Sequence, residues 1–242
     1  MKKSVRSLFL MVVFGLGCSV LSGCGGAFPN DLTIDGEKIS RKEYETAVEQ
    51  VEYDTEMYIQ DNFGEEMSDG FWEKEYDGSE GYEILTERAL ERIQNVHAVY
   101  DLAYENGDVE DKSFDAIQER CAKENERRKK AIEDGQVIYG LKEYTFDLYE
   151  EYEMGMLKET YCNSLDREGM KLSEDEVKEH YQNNDWLVGG DEQKSSFEKA
   201  KIAVERDLRE KKYDEMVEIR AKDSTICGYD ERLVTFTKTV IK

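Results

Sequence analysis

The 242-residue sequence contains a single proline, Pro29, and two histidines, His97 and His180. Proline has no backbone N–H and breaks helices, so the chain beyond Pro29 can form long helices without that interruption. No Cys-x-x-Cys pair and no His/Cys cluster has the spacing of a metal site. A Gly-rich phosphate loop and a nucleophile elbow are also missing. We therefore predict no metal site, no cofactor and no catalytic residues.

Basic residues are scarce relative to acidic ones. The sequence has 33 Lys and Arg against 56 Asp and Glu, a net charge of −23. A chain this acidic is repelled by nucleic acid and by anionic headgroups, so neither is an expected ligand. The 15 Tyr, nine Phe and two Trp argue against disorder, because disordered chains are poor in aromatic residues. The composition favours a folded, strongly acidic protein.

The N-terminus has the pattern of an export signal. Basic residues in the first six positions precede an apolar run over residues 8–20. That run suits a signal-peptide core and is shorter than the roughly 20 residues that span a bilayer. The four residues Leu21-Ser22-Gly23-Cys24 then resemble the lipobox of bacterial lipoproteins. The alternative is an uncleaved anchor helix.

The lipobox predicts where the chain is cut and held. We expect a signal peptide over residues 1–23, cleavage between Gly23 and Cys24, and diacylglycerol on the Cys24 thiol. Two acyl chains on one residue give the stable anchoring that a single chain does not. Residues 24–31 would form a lipidated tether on the extracytoplasmic face of the bacterial cell membrane. Three other cysteines remain, and their odd number leaves at least one thiol unpaired in a monomer: Cys121, Cys162 and Cys227.

Local patterns predict a mainly α-helical fold with a small β-sheet made from the two chain ends. Asp35-Gly36 is a turn signal between two short strands, and Ser40-x-x-Glu43 is a capping box that opens the first helix. Residues 62–81 are predicted as a loop with one helical turn. Further helices are predicted over about 82–106, 112–134, 141–166, 172–181 and 197–221, and strands over 32–34, 37–39, 224–227 and 233–237.

These elements are predicted to form one domain over residues 32–242. Its N-terminal part spans 32–182, a polar linker spans 183–196, and the closing helix and strands span 197–242. Within the third helix, the charged stretch Glu124–Lys130 is predicted to be a solvated arm with ion pairs along it. Both histidines lie inside predicted helices and are expected to be structural or solvated.

The order of elements resembles the chaperone module of the SurA/PrsA family of extracytoplasmic foldases. The opening TIDGEKISRKEYETAVEQ is similar to the family's strand, turn and first helix, and YEILTERALERIQNVHAVYDLAYENGDVED to its second helix. KLSEDEVKEHYQNN is similar to the segment that leads into the family's isomerase domain. FEKAKIAVERDLREKKYDEMVEIRAKDSTI is similar to its closing helix and strand. The resemblance touches more than half of the chain that follows the leader.

The sequence departs from that family where a parvulin isomerase domain of about a hundred residues usually stands. Only fifteen residues separate Tyr181 from Phe197, too few for such a domain. The resemblance therefore implies chaperone-like binding of unfolded or extended segments of exported proteins, without isomerase activity. Two alternatives remain open: a lipoprotein that docks on one folded envelope partner, and a hidden enzyme such as a degenerate isomerase or a hydrolase.

Aromatic residues are the candidate client-binding groups. The fourth predicted helix is aromatic on more than one face, so it either crosses the core or lines a groove. A further aromatic pair stands in the glycine-punctuated loop before the second helix. Tyrosine and methionine adapt to varied apolar clients. The candidate residues are Phe71, Trp72, Tyr144, Tyr149 and Tyr152.

Overall fold

A computed structural model describes residues 27–190 and 192–241. The predicted signal peptide, the cleavage site and Cys24 lie outside these residues. The described chain has seven helices and five two-residue strands. In chain order they are β1 Thr33–Ile34, β2 Glu37–Lys38, α1 Arg41–Phe63, β3 Glu75–Tyr76, β4 Ser79–Glu80, α2 Gly81–Glu105, α3 Phe114–Glu133, α4 Phe146–Asn163, α5 Glu174–Asn183, α6 Phe197–Asp223, β5 Ile226–Cys227 and α7 Glu231–Val240.

The two ends of the described chain meet in one antiparallel sheet of order β2-β1-β5. Ile34 lies opposite Ile226 and Thr33 opposite Cys227. Asp35 takes φ of 50° in the turn that joins β1 to β2, a conformation that Asp tolerates better than most residues. The prediction of a mainly helical fold with a small terminal sheet is confirmed.

Local capping signals predict the starts of α1 and α5 correctly, whereas α4 begins at Phe146 rather than at the predicted residue 141. The Ser40 side chain accepts from the backbone N–H of Glu43, and the Glu43 carboxylate accepts from the backbone N–H of Ser40, as a capping box requires. Ser173 and Glu176 repeat this arrangement at the start of α5. Gly64 ends α1 in the left-handed conformation, with φ of 71°.

Apolar side chains form three core clusters that share the long helices. The first joins α1, the first half of α2, α7 and the terminal strands, and includes Leu32, Tyr44 and Phe236. The second joins the second half of α2 to α3, α4 and the end of α6, and the third joins α5 to the start of α6. Because α2 contributes to two clusters and α6 to two, these helices tie the clusters together.

The segment at residues 233–237 is a helix, so its prediction as a strand is wrong. The Asp230 side chain accepts from the backbone N–H of Arg232 and caps the start of α7. Leu233, Phe236 and Thr237 are buried at helical spacing against the first cluster. Tertiary packing and a local cap therefore override the β-branched composition of this segment.

The region between α1 and α2 contains a hairpin that the sequence reading missed. In place of the predicted helical turn, residues 69–73 form hydrogen-bonded turns in which Gly70 has a left-handed φ of 77°. The N–H of Phe71 donates to the Ser68 carbonyl. β3 and β4 then pair across Asp77-Gly78, whose φ angles are 53° and 95°. This is the same Asp-Gly signal that joins β1 to β2, so the pattern was available in the sequence.

The predicted linker is folded against α5 and α6. Trp186 and Val188 pack on the third cluster. The N–H of Ser195 donates to the Trp186 carbonyl at 2.7 Å, and the N–H of Val188 donates to the Ser195 hydroxyl at 2.9 Å. The Tyr181 hydroxyl donates to the Ser195 carbonyl at 2.8 Å. Hydrogen bonds between the two ends of the linker, at residues 186–188 and Ser195, therefore hold it in a folded loop.

Candidate functional site

A half-buried carboxylate fixes the rotation of α4. Glu153 accepts hydrogen bonds from the hydroxyls of Tyr100 and Tyr149, at 2.7 and 2.8 Å, and pairs with Arg120 at 2.8 Å. Burial, and then the Glu153 charge, raise the pKa of both tyrosines well above the ordinary value, so both remain neutral donors. Leu157 lies one turn further along the same buried side of α4. This inward face determines which residues of α4 point outward.

The outward face of α4 presents an apolar row. Leu148, Tyr152 and Met156 recur at steps of four, which places them on one side of a helix. Their exposed fractions are 46%, 40% and 45%. Single exposed apolar residues are common on protein surfaces, whereas three large ones together on one helix face indicate an interaction site.

Arg128 holds the loop that connects α3 to α4. It is only 5% exposed, and its guanidinium lies over the Tyr144 ring at 4.6 Å from the centroid. It donates to the carbonyls of Tyr139 and Leu141, at 3.1 and 2.5 Å, and to the Tyr144 hydroxyl at 3.2 Å. The predicted ion pairs along the stretch Glu124–Lys130 are present, since Arg127 and Arg128 both pair with Glu124. The prediction that the stretch is solvated is wrong at Arg128, because backbone carbonyls, an aromatic face and the Glu124 carboxylate replace water around its charge.

Asn125 fastens the other end of the same loop. Its side-chain amide donates to the Tyr144 carbonyl at 2.9 Å, and its side-chain oxygen accepts from the Tyr144 N–H at 2.8 Å. Side chains of α3 therefore hydrogen-bond to the loop backbone at Tyr139, Leu141 and Tyr144. In the same loop, Val137 and Tyr139 are 80% and 87% exposed.

We call the outward residues of this hairpin the α3–α4 surface. Ring stacking connects the loop to the apolar row of α4. The Tyr144 ring lies 5.2 Å from the Tyr152 ring, centroid to centroid, at an interplanar angle of 24°. The surface joins exposed aliphatic, aromatic and thioether groups on a fixed backbone. Its members are Val137, Tyr139, Leu141, Leu148, Tyr152 and Met156.

The candidate residues of α4 and its loop meet in one place but differ in exposure. Tyr152 belongs to the α3–α4 surface, and Tyr144 is half-buried beneath it. Tyr149 is buried and positions the helix through Glu153. The sequence reading missed Leu148 and Met156, although their four-residue spacing from Tyr152 could have identified them. It also missed the exposed loop residues, which no periodic pattern marks.

Phe71 and Trp72 are core residues, which corrects their prediction as client-binding groups. They are 1% and 9% exposed, and their rings meet edge to face at 5.1 Å. The Tyr76 hydroxyl donates to the Phe71 carbonyl at 2.7 Å, and the Trp72 carbonyl accepts from the Tyr82 N–H at 3.0 Å. The pair thus seals the junction between the β3–β4 hairpin and α2.

The two histidines each face a carboxylate. His97 contacts Glu43 at 2.7 Å and His180 contacts Asp207 at 2.6 Å. The His97 pair ties α2 to the start of α1, and the His180 pair ties α5 to α6. Burial lowers the pKa of His97, but the hydrogen bond and charge of Glu43 raise it by more, so the pKa lies above its ordinary value. Both pairs join helices and so have structural roles.

Other groups with chemical potential are enclosed or scattered. Cys121 and Cys162 are buried free thiols, and burial raises the pKa of Cys162 to about 11. Cys227 is exposed and free. Within residues 27–190 and 192–241, no group of three or more His, Cys, Asp or Glu side chains is arranged to hold a metal ion. No helix in the same part of the chain is long and apolar enough to cross a membrane.

A narrow gap between α1, α2 and α4 is filled by paired polar groups. Arg92 contacts Glu150 at 2.6 Å, and the Gln50 amide donates to the same carboxylate at 3.1 Å. The gap has a volume of about 10 Å³, close to that of one water-sized probe. Small-molecule sites are usually hundreds of Å³. The Arg92, Glu150 and Gln50 side chains that line this gap are paired with one another, and the gap is too small for a substrate.

One known protein provides a functional comparison. The chain is 30% identical over 184 residues to a protein of Bifidobacterium longum subsp. longum named "Chaperone for lacto-N-biosidase". The match covers 76% of this chain and 66% of the relative, just under two thirds of the relative's length. No family model matches the chain, and no solved structure matches it. The printed name describes that relative as a chaperone, and the resemblance of this chain to the SurA/PrsA module stays a prediction.

Proposed function

We propose that this protein is a chaperone that binds unfolded or extended segments of exported proteins through the α3–α4 surface. Two independent observations support the proposal. The homologue carries the name of a chaperone. The described chain leaves six large apolar side chains open on one hairpin, held there by Arg128 and Asn125.

The observation that carries the proposal is the exposure of Tyr139 and Val137 on a loop whose backbone is fixed. A loop that served only as a connection would gain nothing from outward apolar groups, which cost solubility. A buried arginine that binds two loop carbonyls keeps these groups from folding back. Met156 and Tyr152 add groups that adapt to different apolar partners.

The direct test is suppression of aggregation. The purified protein is mixed with lysozyme whose disulfides are being reduced, and light scattering is followed in time. We expect the wild-type protein to suppress scattering at near-stoichiometric amounts. A variant with Tyr139→Ser, Tyr152→Ser and Met156→Ser should lose most of this effect. The control variant carries Tyr53→Ser and Tyr104→Ser, which remove exposed tyrosines elsewhere, and should act as the wild type does.

Absence of suppression at several-fold molar excess of wild-type protein contradicts the proposal. Equal loss of suppression in the control variant contradicts the assignment to the α3–α4 surface. Circular dichroism and thermal melts on all three proteins establish that each is folded.

A more specific role, with a single dedicated client, is favoured by the name of the homologue, which refers to one enzyme. In this version the protein assists one exported enzyme rather than many proteins. Co-expression distinguishes the two roles. A dedicated chaperone raises the soluble yield of one exported protein, whereas a general one raises the yield of several unrelated ones.

We further propose that the protein is a lipoprotein on the extracytoplasmic face of the membrane, anchored by diacylglycerol on Cys24. The order of basic start, apolar run and Leu21-Ser22-Gly23-Cys24 supports this location. Labelling cells with radioactive palmitate should mark the wild-type protein and not the Cys24→Ser variant. A labelled Cys24→Ser protein contradicts the site.

We also propose that the protein does not catalyse prolyl isomerisation. The fifteen residues between Tyr181 and Phe197 are too few for a parvulin domain. A protease-coupled assay on a Pro-containing peptide tests this. A rate above the uncatalysed one in proportion to protein concentration contradicts it.

A further inference from the structure

A second row lies beside the apolar row of α4. Glu151, Gly155 and Glu159 recur at steps of four and are all exposed. The glycine is flanked by a carboxylate one helical turn away on each side, at about 6 Å between neighbouring Cβ positions. Tyr152 and Met156 border the glycine on the apolar row.

Gly155 has no packing role inside the molecule. A Cβ built on it meets nothing within 4 Å, whereas a Cβ on Gly81 meets the Trp72 carbonyl oxygen at 2.9 Å. Gly81 is thus required by a neighbouring backbone. Glycine is among the least favourable residues in a helix interior, and alanine fits position 155. The missing side chain leaves a shallow notch that a binding partner can approach closely.

The cations near the notch are engaged with other carboxylates. Arg206 of α6 interacts electrostatically with Glu159 but pairs directly with Glu210 at 2.6 Å. Lys158, the basic residue of α4, is engaged with Asp214 of α6 at 2.7 Å. On the α3 side, Arg127 is engaged with Glu124 at 2.7 Å. Glu151 and Glu159 form no ion pair within the part of the chain that the structure describes. The exposed face therefore offers two carboxylates that have no ion pair among the described residues, and they stand beside apolar side chains.

We propose that this face of α4 recognises client segments in which a lysine or arginine stands next to apolar residues. The inference rests on the proposed function and names the chemistry of the bound segment. The aliphatic stem of the basic residue lies over Gly155 against Tyr152 and Met156, and its charge lies between Glu151 and Glu159. Long basic side chains pack their stems on apolar surface and keep the charge in water. The neighbouring apolar residues of the client contact Leu148 and the loop.

Binding of three labelled peptides tests this recognition. Each peptide has the same alternating Leu and Phe positions, and the intervening residues are Lys, Gln or Glu. Fluorescence anisotropy at low and high salt gives the affinities for the purified protein. We expect the Lys peptide to bind about fivefold or more tightly than the Gln peptide, the Glu peptide to bind weakest, and added salt to reduce the difference.

Variants separate a local site from the overall negative charge. Glu151→Gln with Glu159→Gln should remove most of the preference for Lys over Gln. Its control neutralises Glu66 and Asp69, two exposed carboxylates in the loop after α1, and should keep the preference. An equal loss in both variants overturns the inference, because net charge alone then explains the preference.

Filling the notch with a side chain gives a second test, in which the melting temperature distinguishes lost binding from misfolding. Gly155→Gln should lower the affinity for the Lys peptide about fivefold or more while leaving the melting temperature equal or higher, since glutamine is a better helix former. The control is Ala122→Gln, another small exposed helical position, which should not change binding. Unchanged binding by Gly155→Gln overturns the inference.

The outcomes distinguish this inference from the proposed function. If all three peptides bind equally and loss of Tyr152 and Met156 weakens all of them, the recognition of basic residues is wrong and the chaperone role stands. If no peptide binds and aggregation is not suppressed, the chaperone role itself is wrong.

Discussion

Ile34 in β1 lies directly opposite Ile226 in β5, so the beginning and the end of the described chain form one sheet. Ile34 is 1% exposed. Two hydrogen bonds extend the pairing beyond the strands: the N–H of Asp35 donates to the Thr225 carbonyl at 2.9 Å, and the N–H of Thr225 donates to the Asp35 carboxylate at 2.7 Å. The first core cluster is therefore complete only when both chain ends are in place.

Thr237 is predicted to stabilise this closure through its hydroxyl. The hydroxyl is hydrogen-bonded to the Tyr44 hydroxyl at 2.6 Å and to the Thr86 hydroxyl at 2.8 Å, and all three residues are buried. Thr237→Val keeps the shape but leaves these groups short of a partner, so the free energy of unfolding should fall by about 1 to 3 kcal/mol. Urea denaturation measures the loss. Combining it with Tyr44→Phe should cost less than the sum of the single changes, and strict additivity contradicts the network.

His97 should make stability depend on pH near neutrality. Its folded-state pKa is raised, chiefly because Glu43 and the nearby charges of Glu37 and Asp101 outweigh burial. The resulting stabilisation is fully present below the unfolded pKa of about 6.5 and is lost as pH rises through the folded pKa. The advantage of the wild type over His97→Gln in unfolding free energy should therefore shrink as pH rises above about 6.5. An advantage that grows over this range contradicts the raised pKa.

Arg128 should contribute far more to stability than its neighbour Arg127. Arg128→Ala removes hydrogen bonds from a buried cation to the carbonyls of Tyr139 and Leu141, at a cost of about 2 kcal/mol or more. Arg127→Ala removes a largely exposed ion pair with Glu124 and should cost less than about 1 kcal/mol. Urea denaturation compares the two. Faster trypsin cleavage at Lys142 in Arg128→Ala should accompany the loss, and equal cleavage in both variants contradicts the role in holding the loop.

The two helical glycines should respond oppositely to alanine. Gly155→Ala should stabilise the protein by about 1 kcal/mol, because the position is open and alanine favours the helix. Gly81→Ala should destabilise it by about 1 to 3 kcal/mol, because the methyl group collides with the Trp72 backbone. Differential scanning calorimetry gives both shifts. Destabilisation by Gly155→Ala contradicts the open environment of that position.

Much of the fold could be predicted from sequence because its signals are local. The Ser40 and Ser173 capping boxes and the Asp35-Gly36 turn each act over four residues or fewer, and each has the predicted geometry. The terminal sheet was also predictable, because the strand patterns at both ends lacked other partners. Helix α7 was not, because burial of Leu233 and Phe236 outweighs the strand propensity of the residues between them.

The site was less predictable because exposure depends on neighbours distant in sequence. Tyr149 and Tyr152 belong to the same aromatic helix, yet only the first turns inward to Glu153. Arg128 lies in a run of four basic residues, and nothing in that run marks it as the one that binds the Tyr139 carbonyl. Phe71 and Trp72 looked like a solitary pair because the hairpin that buries them was not recognised.

Site-specific photocrosslinking shows which surface of the protein contacts an unfolded client. A photoreactive benzoylphenylalanine replaces one tyrosine at a time, at Tyr139 or Tyr152 on the α3–α4 surface and at the exposed Tyr53 or Tyr104 elsewhere. Each protein is irradiated with reduced, unfolded lysozyme and with native lysozyme. We expect crosslinks to the unfolded chain from positions 139 and 152, few from positions 53 and 104, and few to native lysozyme from any position. Crosslinks that are as strong from positions 53 and 104, or missing from positions 139 and 152, would contradict client binding by the α3–α4 surface.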